Sequence, residues 1–496
     1  MNAKCSKGYY SMNRFGSFIT NDQFQLFLMI PVFLGALYAA LRITCAGVGI
    51  HGLLHSRFRL IACIVLTVLG TGSLAYMFLS HLEYQIKNAP LNRILVWISG
   101  VYVAFFIYFL HLLAVTDILC IILRCSGHRR VPASLFMMFS VGIAVLLTFC
   151  GMMHARDIRN VHYEISSGGR LSSPMRIAVV SDLHMGSVID TDYVQGVVNA
   201  LNARQPDLVV FSGDQFNRTN AVDVVDAGEM FRILSNIEAP LGVYAVLGNH
   251  DPELNAEIYQ RFLSEGGITA LDNAVLEIIP GDEAQQAEVR TLVSASSEGL
   301  EPGGTPEGLE SGSTLESLES GSTLESLESG SNPDTAAAGA LFLIGRTKLA
   351  EDPERVPLMI LLGQAGLMPG SGSDGRGDSG GEGTPLSRSN VSSSAFRQPE
   401  HYLLVLDHDP RGIEEAVSCD ADLVLAGHTH RGQFFPATLI TQLSYEKGYF
   451  YGLAQTINEI TGHVTTSIVS SGAGYFQTPI RVGTDSEIVY IDIKQY

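Results

Sequence analysis

Apolar and polar positions divide the chain into two regimes. In the first third, four long apolar runs, Phe24–Leu41, Leu60–Leu79, Ile94–Leu123 and Leu135–Met153, follow one another with short polar breaks. Each is long enough to cross a hydrocarbon core of about 30 Å. Pro31 inside the first run is tolerable in a membrane helix. Four such runs in succession favour about four transmembrane spans over the buried helices of a large soluble domain. Beyond Pro174 the apolar runs shorten and alternate with amphipathic segments, the pattern of an α/β fold. Strands are expected at Arg176–Ser181, Leu208–Ser212, Val243–Leu247, Ala274–Ile279, Leu341–Gly345, Tyr402–Asp407 and Leu423–Ala426, and again at Thr465–Ser470 and Glu487–Ile493. Helices are expected at Tyr193–Asn202, Val222–Ser235 and Asn255–Ser264. Between the regimes, Arg156–Ser173 reads as a polar joint.

Two stretches fit neither regime. Gly281–Gly339 contains a tandem nonapeptide, Ser-Gly-Ser-Thr-Leu-Glu-Ser-Leu-Glu, at Ser311–Glu319 and Ser320–Glu328, and glycine breaks every unit. Gln364–Pro399 is rich in Gly and Ser with almost no apolar content. Neither can bury enough surface to offset the entropy of ordering, so both are expected to be disordered insertions. A domain carries such loops at modest cost, because closure entropy grows only with the logarithm of loop length. The length of 496 residues thus divides into a membrane region at 1–160 and an α/β domain at 174–496, interrupted at 281–339 and 364–399.

Charge sharpens this division. The net charge is −19, yet through Asn160 thirteen Lys or Arg stand against four acids, while 281–339 holds twelve acids against Arg290. The basic residues are scattered around apolar runs rather than clustered on one soluble face, so no nucleic-acid partner is indicated. Six of the seven cysteines lie in the apolar third, which excludes a disulfide framework and a paired-cysteine zinc motif. The polar first twenty residues lack the charged-apolar-cleavage pattern of a removable signal peptide. With an even number of spans, seven basic residues fall on the side of the α/β domain and six on the other, so the positive-inside rule gives no orientation. His111 and Asp117 fall within the third run. An intramembrane acid is a functional suspect, whereas a run longer than one crossing also allows Asp117 to sit at an interface.

Candidate chemistry gathers where expected strands end. Leu423–Gln433 is a short apolar run that stops at Gly427 and is followed by His428 and His430. A loop leaving a strand end is where an open α/β fold binds ligands. Four more fragments end strands in the same way: Ser181-Asp182-Leu183-His184, Ser212-Gly213-Asp214, Leu247-Gly248-Asn249-His250-Asp251 and Leu406-Asp407-His408. Each is commonplace alone. Together they supply carboxylate, amide and imidazole ligands, a set suited to Mn, Fe, Zn or Ni rather than Ca. They are too many for one tetrahedral site and suit two ions bridged by a shared carboxylate.

The order Asp-x-His, Gly-Asp, Gly-Asn-His-Asp, His, Gly-His-x-His resembles the calcineurin-like metallophosphoesterase superfamily, from about Arg176 to Ile493 outside the insertions. Leu343-Ile344-Gly345-Arg346, Ser470-Ser471-Gly472, Pro479-Ile480-Arg481 and Ser486-Glu487-Ile488 further resemble the bacterial-type branch in which membrane spans precede the catalytic domain. The resemblance implies a four-layer α/β/β/α sandwich with two divalent metal ions at the sheet edge. One ion would take Asp182, His184, Asp214 and His430; the other would take Asp214, Asn249, His408 and His428. A water shared by the ions would be the nucleophile. His250 would contact the phosphoryl group and serve the leaving oxygen as a proton donor, with Asp251 keeping its imidazole oriented and protonated. The departures are Thr347 and Lys348 after Arg346, where relatives are usually acidic, and Arg431 after His430. Arg431 would either bind a substrate phosphate bidentately or point to solvent. His162, His401 and His463 match no motif.

The expected protein is therefore a multi-pass cell-membrane enzyme that hydrolyses a phosphate ester or pyrophosphate bond. Lipid- and envelope-linked phosphates stand among its substrate classes, and membrane lipids among its partners. The alternative is a membrane sensor or transporter whose phosphoesterase-like domain binds ligand without hydrolysis. Degenerate metal ligands would favour that alternative, and none of the expected ligands is missing.

Overall fold

The computed structural model describes residues 89–126, 133–219, 226–279, 288–294, 339–346, 355–367 and 401–496, with single positions between 34 and 76 and at 221 and 224. The third apolar run forms helix α1, Ala89–Cys125, and the fourth forms α2, Ala133–Ala155. Both are long and apolar enough to cross a membrane, with mean hydropathy 2.4 for Pro90–Cys125 and 2.2 for Leu135–Ala155. Large apolar side chains such as Ile94, Val115, Ile118, Met138 and Phe149 are exposed along them. The first two runs lie largely outside the described residues, and the positions described within them are helical. Asp117 accepts hydrogen bonds from Tyr38 and Arg42, so it ties the first run to α1. His111 Nδ1 lies 2.7 Å from the Ile107 carbonyl one turn back.

Two mixed sheets follow. The first joins β1 (Ile158–Ser166), β13 (Ser486–Lys494), β2 (Met175–Val180), β3 (Leu208–Ser212), β4 (Val243–Val246) and β5 (Thr269–Ala270) in that spatial order. The second joins β11 (Gly452–Ile457), β12 (Val464–Val469), β10 (Leu423–Ala426), β9 (Tyr402–Asp407), β8 (Leu341–Arg346), β6 (Ala274–Ile279) and β7 (Glu288–Ser294). The central strands are parallel. They are near-continuous apolar runs because both faces are covered. Period-two alternation shares each strand between two cores. Ile177, Val179, Leu208, Val210, Leu404, Leu406, Leu423 and Leu425 meet in one cluster that joins the two sheets. Ala178, Val180, Val209 and Phe211 face α3 (Thr191–Asn202), α4 (Ala227–Leu234) and α5 (Glu257–Gly266). Phe342, Ile344, Leu403, Val405 and Val424 face α6 (Leu358–Gln364) and α7 (Ile413–Ser418).

Two sequence expectations need correction. The polar joint contains β1, which pairs in parallel with β13 over all nine residues. Its exposed polar positions alternate with Ile158, Val161, Tyr163 and Ile165, and such half-covered alternation is what an edge strand requires. The sheet domain thus begins near residue 158 rather than 174. Within the first expected insertion, Glu288–Ser294 forms β7, antiparallel to β6. Its Val-Arg-Thr-Leu-Val pattern carries strand preference that the surrounding acidic, glycine-rich composition masked. The remainder of that insertion, nearly all of 364–399, and Thr347 and Lys348 lie outside the described residues.

The apolar helices are fastened to the sheets rather than tethered beside them. Arg481 N donates to the Gly151 carbonyl at 3.0 Å, Ser486 Oγ to the Ala155 carbonyl at 2.8 Å, and His154 Nε2 lies 2.8 Å from Asp485. Glycines make this approach possible. A Cβ at Gly151 would stand 2.7 Å from Val482, and one at Gly100 would stand 2.8 Å from the Gln477 carbonyl.

Candidate metal centre

Each expected ligand leaves the carboxyl end of a parallel strand. Asp182 and His184 follow β2, Asp214 follows β3, Asn249 follows β4, His408 follows β9, and His428 and His430 follow β10. Five of them, Asp182, His184, Asp214, His428 and His430, have φ between 48° and 68°. Non-glycine residues seldom adopt this left-handed region, and the surrounding structure must over-determine it. The restraint is visible in the backbone. Asp182 N and His184 N donate to the carbonyls of Gly213 and Asp214, both at 3.0 Å. Gly427 N donates to the His408 carbonyl at 3.0 Å, and His428 N donates to the Asp182 carboxylate at 3.0 and 3.1 Å. The loops from the two sheets are thereby bound to one another.

The side chains converge as two sets. Asp182, His184 and His430 offer ligand atoms within 4.8 Å of one another, and Asp214, His408 and His428 do the same. The Nε2 atoms of His184 and His430 stand 2.8 Å apart, with Asp182 Oδ1 3.5 Å from His430 Nε2. Asn249 Oδ1 lies 2.8 Å from His428 Nδ1 and so joins the second set. Asp214 Oδ2 stands between the sets, 3.1 Å from His408 Nε2 and 3.8 Å from His184 Nε2. All seven sequence-expected ligands are brought together.

Several observations fit this donor set to cations. His408 Nδ1 lies 2.8 Å from the Ser212 carbonyl, which orients the ring so that its buried Nε2 faces Asp214 Oδ2 at 3.1 Å. His184 Nδ1 lies 3.3 Å from the Phe216 carbonyl, which likewise turns Nε2 inward. Burial pushes His184 down to about 3, His428 down to about 4, and His430 well below the usual imidazole value. These three are thus neutral, the state in which imidazole binds metal. His408 differs. Burial opposes its charge, but the carboxylates of Asp214 and Asp182 outweigh it and hold the ring up at about 10. A proton there does the work a bound cation would take over. Burial also pushes Asp182 up to about 6, a further sign that uncompensated anions are costly in this pocket.

His250 is set apart from the ligands. Its backbone N–H donates to Asp214 Oδ1 at 2.8 Å, and its ring lies 4.6 Å from that of Phe476 and 5.5 Å from that of His184. Asp251 accepts from Gly248 N at 2.7 Å and from Phe216 N at 2.8 Å. It thereby ties the loop carrying Asn249 and His250 to the loop after Asp214. The Arg431 guanidinium lies 4.2 Å over the Tyr451 ring. Tyr451 in turn donates to Glu487 at 3.0 Å. His162 stacks on Tyr490, His401 meets Phe342 edge to face, and His463 lies beside Asp422, all away from the ligand sets.

Sequence reasoning missed the residues that hold the ligands. Arg481 is fully buried, and its Nη1 donates to the His430 carbonyl at 3.0 Å. Asp407, beside His408, is bound by Arg355 and lies 3.7 Å from Arg346, which also donates to Glu415 at 2.7 Å. The signals available were the Pro479-Ile480-Arg481 and Gly345-Arg346 fragments, which carry no ligand chemistry of their own.

Residues 175–335 match the family model described as calcineurin-like phosphoesterase. The chain is similar to an uncharacterized metallophosphoesterase of Campylobacter jejuni, 23% identical over 76% of each chain. It is similar to a transmembrane protein with metallophosphoesterase domain of Danio rerio, 23% identical over 95% of this chain and 89% of that one. A shorter match, 32% identical over 77 residues, covers 16% of this chain and 22% of UDP-2,3-diacylglucosamine pyrophosphatase LpxG of Chlamydia muridarum.

Proposed function

Because the chain carries a calcineurin-like metallophosphoesterase domain, we propose that it is a membrane-anchored, two-metal hydrolase of a phosphate ester or pyrophosphate bond. The observation that carries this reading is Asp214 standing between two ligand sets, at 3.1 Å from one imidazole and 3.8 Å from another. Asp182, His184, Asp214 and His430 would hold one divalent cation, and Asp214, Asn249, His408 and His428 the other. Mn, Fe and Zn suit such donors. When bound, the pair supplies an activated water and Lewis-acid stabilisation of the phosphoryl oxygens.

The chain's own residues divide the remaining tasks. His250, next to a ligand but turned to the Phe476 ring, gives a proton to the leaving oxygen. Asp251 is a positioning residue that fixes the loop bearing His250. His184, His428 and His430 are neutral before a cation binds, so the site takes metal without first releasing protons from three of its four histidine ligands.

Membrane anchoring is supported by the four apolar runs, by the two long helices and by the transmembrane protein of Danio rerio. The three apolar clusters support helices on the outer faces of two packed sheets. The low-complexity segments are read as surface loops outside this core. LpxG, by its name, acts on a diacylated, nucleotide-linked pyrophosphate, which places lipid-linked pyrophosphates among the substrates to be tested. The test uses the full chain in detergent with an aryl phosphate, an aryl phosphodiester and a lipid-linked pyrophosphate. Hydrolysis of at least one, lost on chelation and restored by Mn²⁺, Fe²⁺ or Zn²⁺, is the expected result. Tight binding of two cations without turnover of any of the three would overturn it.

A further inference from the structure

A cavity of about 430 Å³ lies in the seam between α1, α2 and the loop that follows His184. This is within the roughly 300–1,000 Å³ of ordinary ligand pockets. Ile94, Trp97 and Ile98 line it from α1 at positions i, i+3 and i+4, which share one face of a helix. Met153 lines it from α2, and Val188 and Tyr475 from the sheet domain. The helix side of this wall is exposed, Ile94 by 55%, Trp97 by 44% and Met153 by 59%, and it continues into the apolar surface of α1 and α2. Tryptophan favours the boundary between hydrocarbon and water.

The polar rim is cationic. Arg93 and Arg156 line the cavity with Asp190 as the acid beside them. Arg156 already holds both oxygens of Asp190, at 3.0 and 3.1 Å, and Asp190 caps α3 by accepting from Tyr193 N at 2.9 Å. Two guanidiniums against one carboxylate leave a positive charge on the rim. One wall residue is the chain neighbour of a ring that packs against His250. Tyr475 walls the cavity, and the next residue, Phe476, places its ring 4.6 Å from the His250 ring.

We propose that this seam binds an anionic phosphate amphiphile, its acyl chain against Trp97, Ile98 and Met153 and its phosphate at the Arg93 rim. The proposal rests on the reading of a membrane-anchored phosphoesterase and gives that site its substrate class. A water-soluble ester has no need of an apolar wall that is continuous with the helices' outer surface. A neutral lipid has no partner for the cationic rim.

Trp97 is the single tryptophan of the chain, so fluorescence excited selectively at tryptophan reports on this seam. The experiment uses the full chain in nanodiscs, with cations removed by chelation so that binding is read without turnover. Phosphatidic acid brominated in its acyl chains is the probe. Saturable quenching is expected, reversed by unbrominated phosphatidic acid and not by unbrominated diacylglycerol at the same mole fraction. Arg93→Gln, confirmed folded by size exclusion, should raise the half-saturation on the order of tenfold, the scale for losing a charge-assisted contact. Quenching that grows with bromolipid content whatever the competing head group would mean ordinary lipid contact, and would overturn the proposal even if Arg93→Gln fails to fold. Hydrolysis of a soluble aryl phosphate is measured separately on the wild type; its absence would count against the phosphoesterase reading and leave the binding result intact.

Discussion

Arg481, completely buried, donates from Nη1 to the main-chain oxygen of His430 at 3.0 Å and from Nη2 to the carbonyls of Ser471 and Gly474 at 2.7 and 2.5 Å. One guanidinium therefore closes the turn that carries a candidate metal ligand. Its own backbone N–H is bound to Gly151 of α2. The chain thus runs from an apolar helix, through Arg481, to the ligand loop. Arg481→Met should leave several buried carbonyls without donors and cost about 3 kcal/mol or more of stability. Cation affinity should fall with it, and thermal unfolding with and without added Mn²⁺ measures both. Unchanged unfolding would show that these carbonyls find other donors.

Asp214 and Asn249 should separate the two cation sites. Asp214→Asn is expected to weaken both, because its carboxylate stands between the sets, whereas Asn249→Ala should weaken mainly the set of His408 and His428. Metal counting on the purified variants decides this. Two tightly bound ions and full turnover in Asp214→Asn would remove the bridging role.

His250→Ala should keep both cations while kcat falls by roughly 10² to 10⁴, the range for loss of a positioned acid. An aryl leaving group departs with little protonation, so the loss should be smaller on an aryl than on an alkyl ester. Equal losses on both would argue against proton donation; loss of a cation would argue against its separation from the ligands.

Gly427 has no room for a side chain. A methyl there would meet Ser181 Oγ and the Asp182 carboxylate. Gly427→Ala should therefore displace Asp182, cost about 1–3 kcal/mol in overpacking and reduce cation binding by Asp182, His184 and His430. Isothermal titration with Mn²⁺ is the check, with retention of full affinity counting against the close approach.

Deletion of 298–332 tests the glycine-broken repeats, which leave β7 intact at Glu288–Ser294. Folding by circular dichroism and hydrolysis should stay near wild type. Loss of the folded domain would mean that the repeat packs on the core.

Each candidate ligand could be read from the chain because metal chemistry restricts residue type and strand ends restrict position. Asp182, His184, Asp214, Asn249, His408, His428 and His430 announced themselves in this way. The central strands were equally readable, since a strand covered on both faces is an apolar run whatever it packs against. Edge strands were not. Ile158–Ser166 looked like a joint and Glu288–Ser294 like part of a solvated insertion, because an edge strand owes its order to the neighbour it pairs with.

The sequence by itself determined the two regimes, the α/β pattern and the donor set of the candidate metal centre, all of which follow from local residue type and periodicity. Only the tertiary structure decided that Arg481 grips the His430 turn, that Asp251 ties two loops by their backbone N–H groups, and that Arg431 lies on Tyr451. It also decided that α1 and α2 meet the segment before β13 at Gly100 and Gly151. These contacts join residues tens to hundreds of positions apart. An arginine's five donors and a glycine's missing Cβ acquire a role only from what the fold brings within a few ångströms of them.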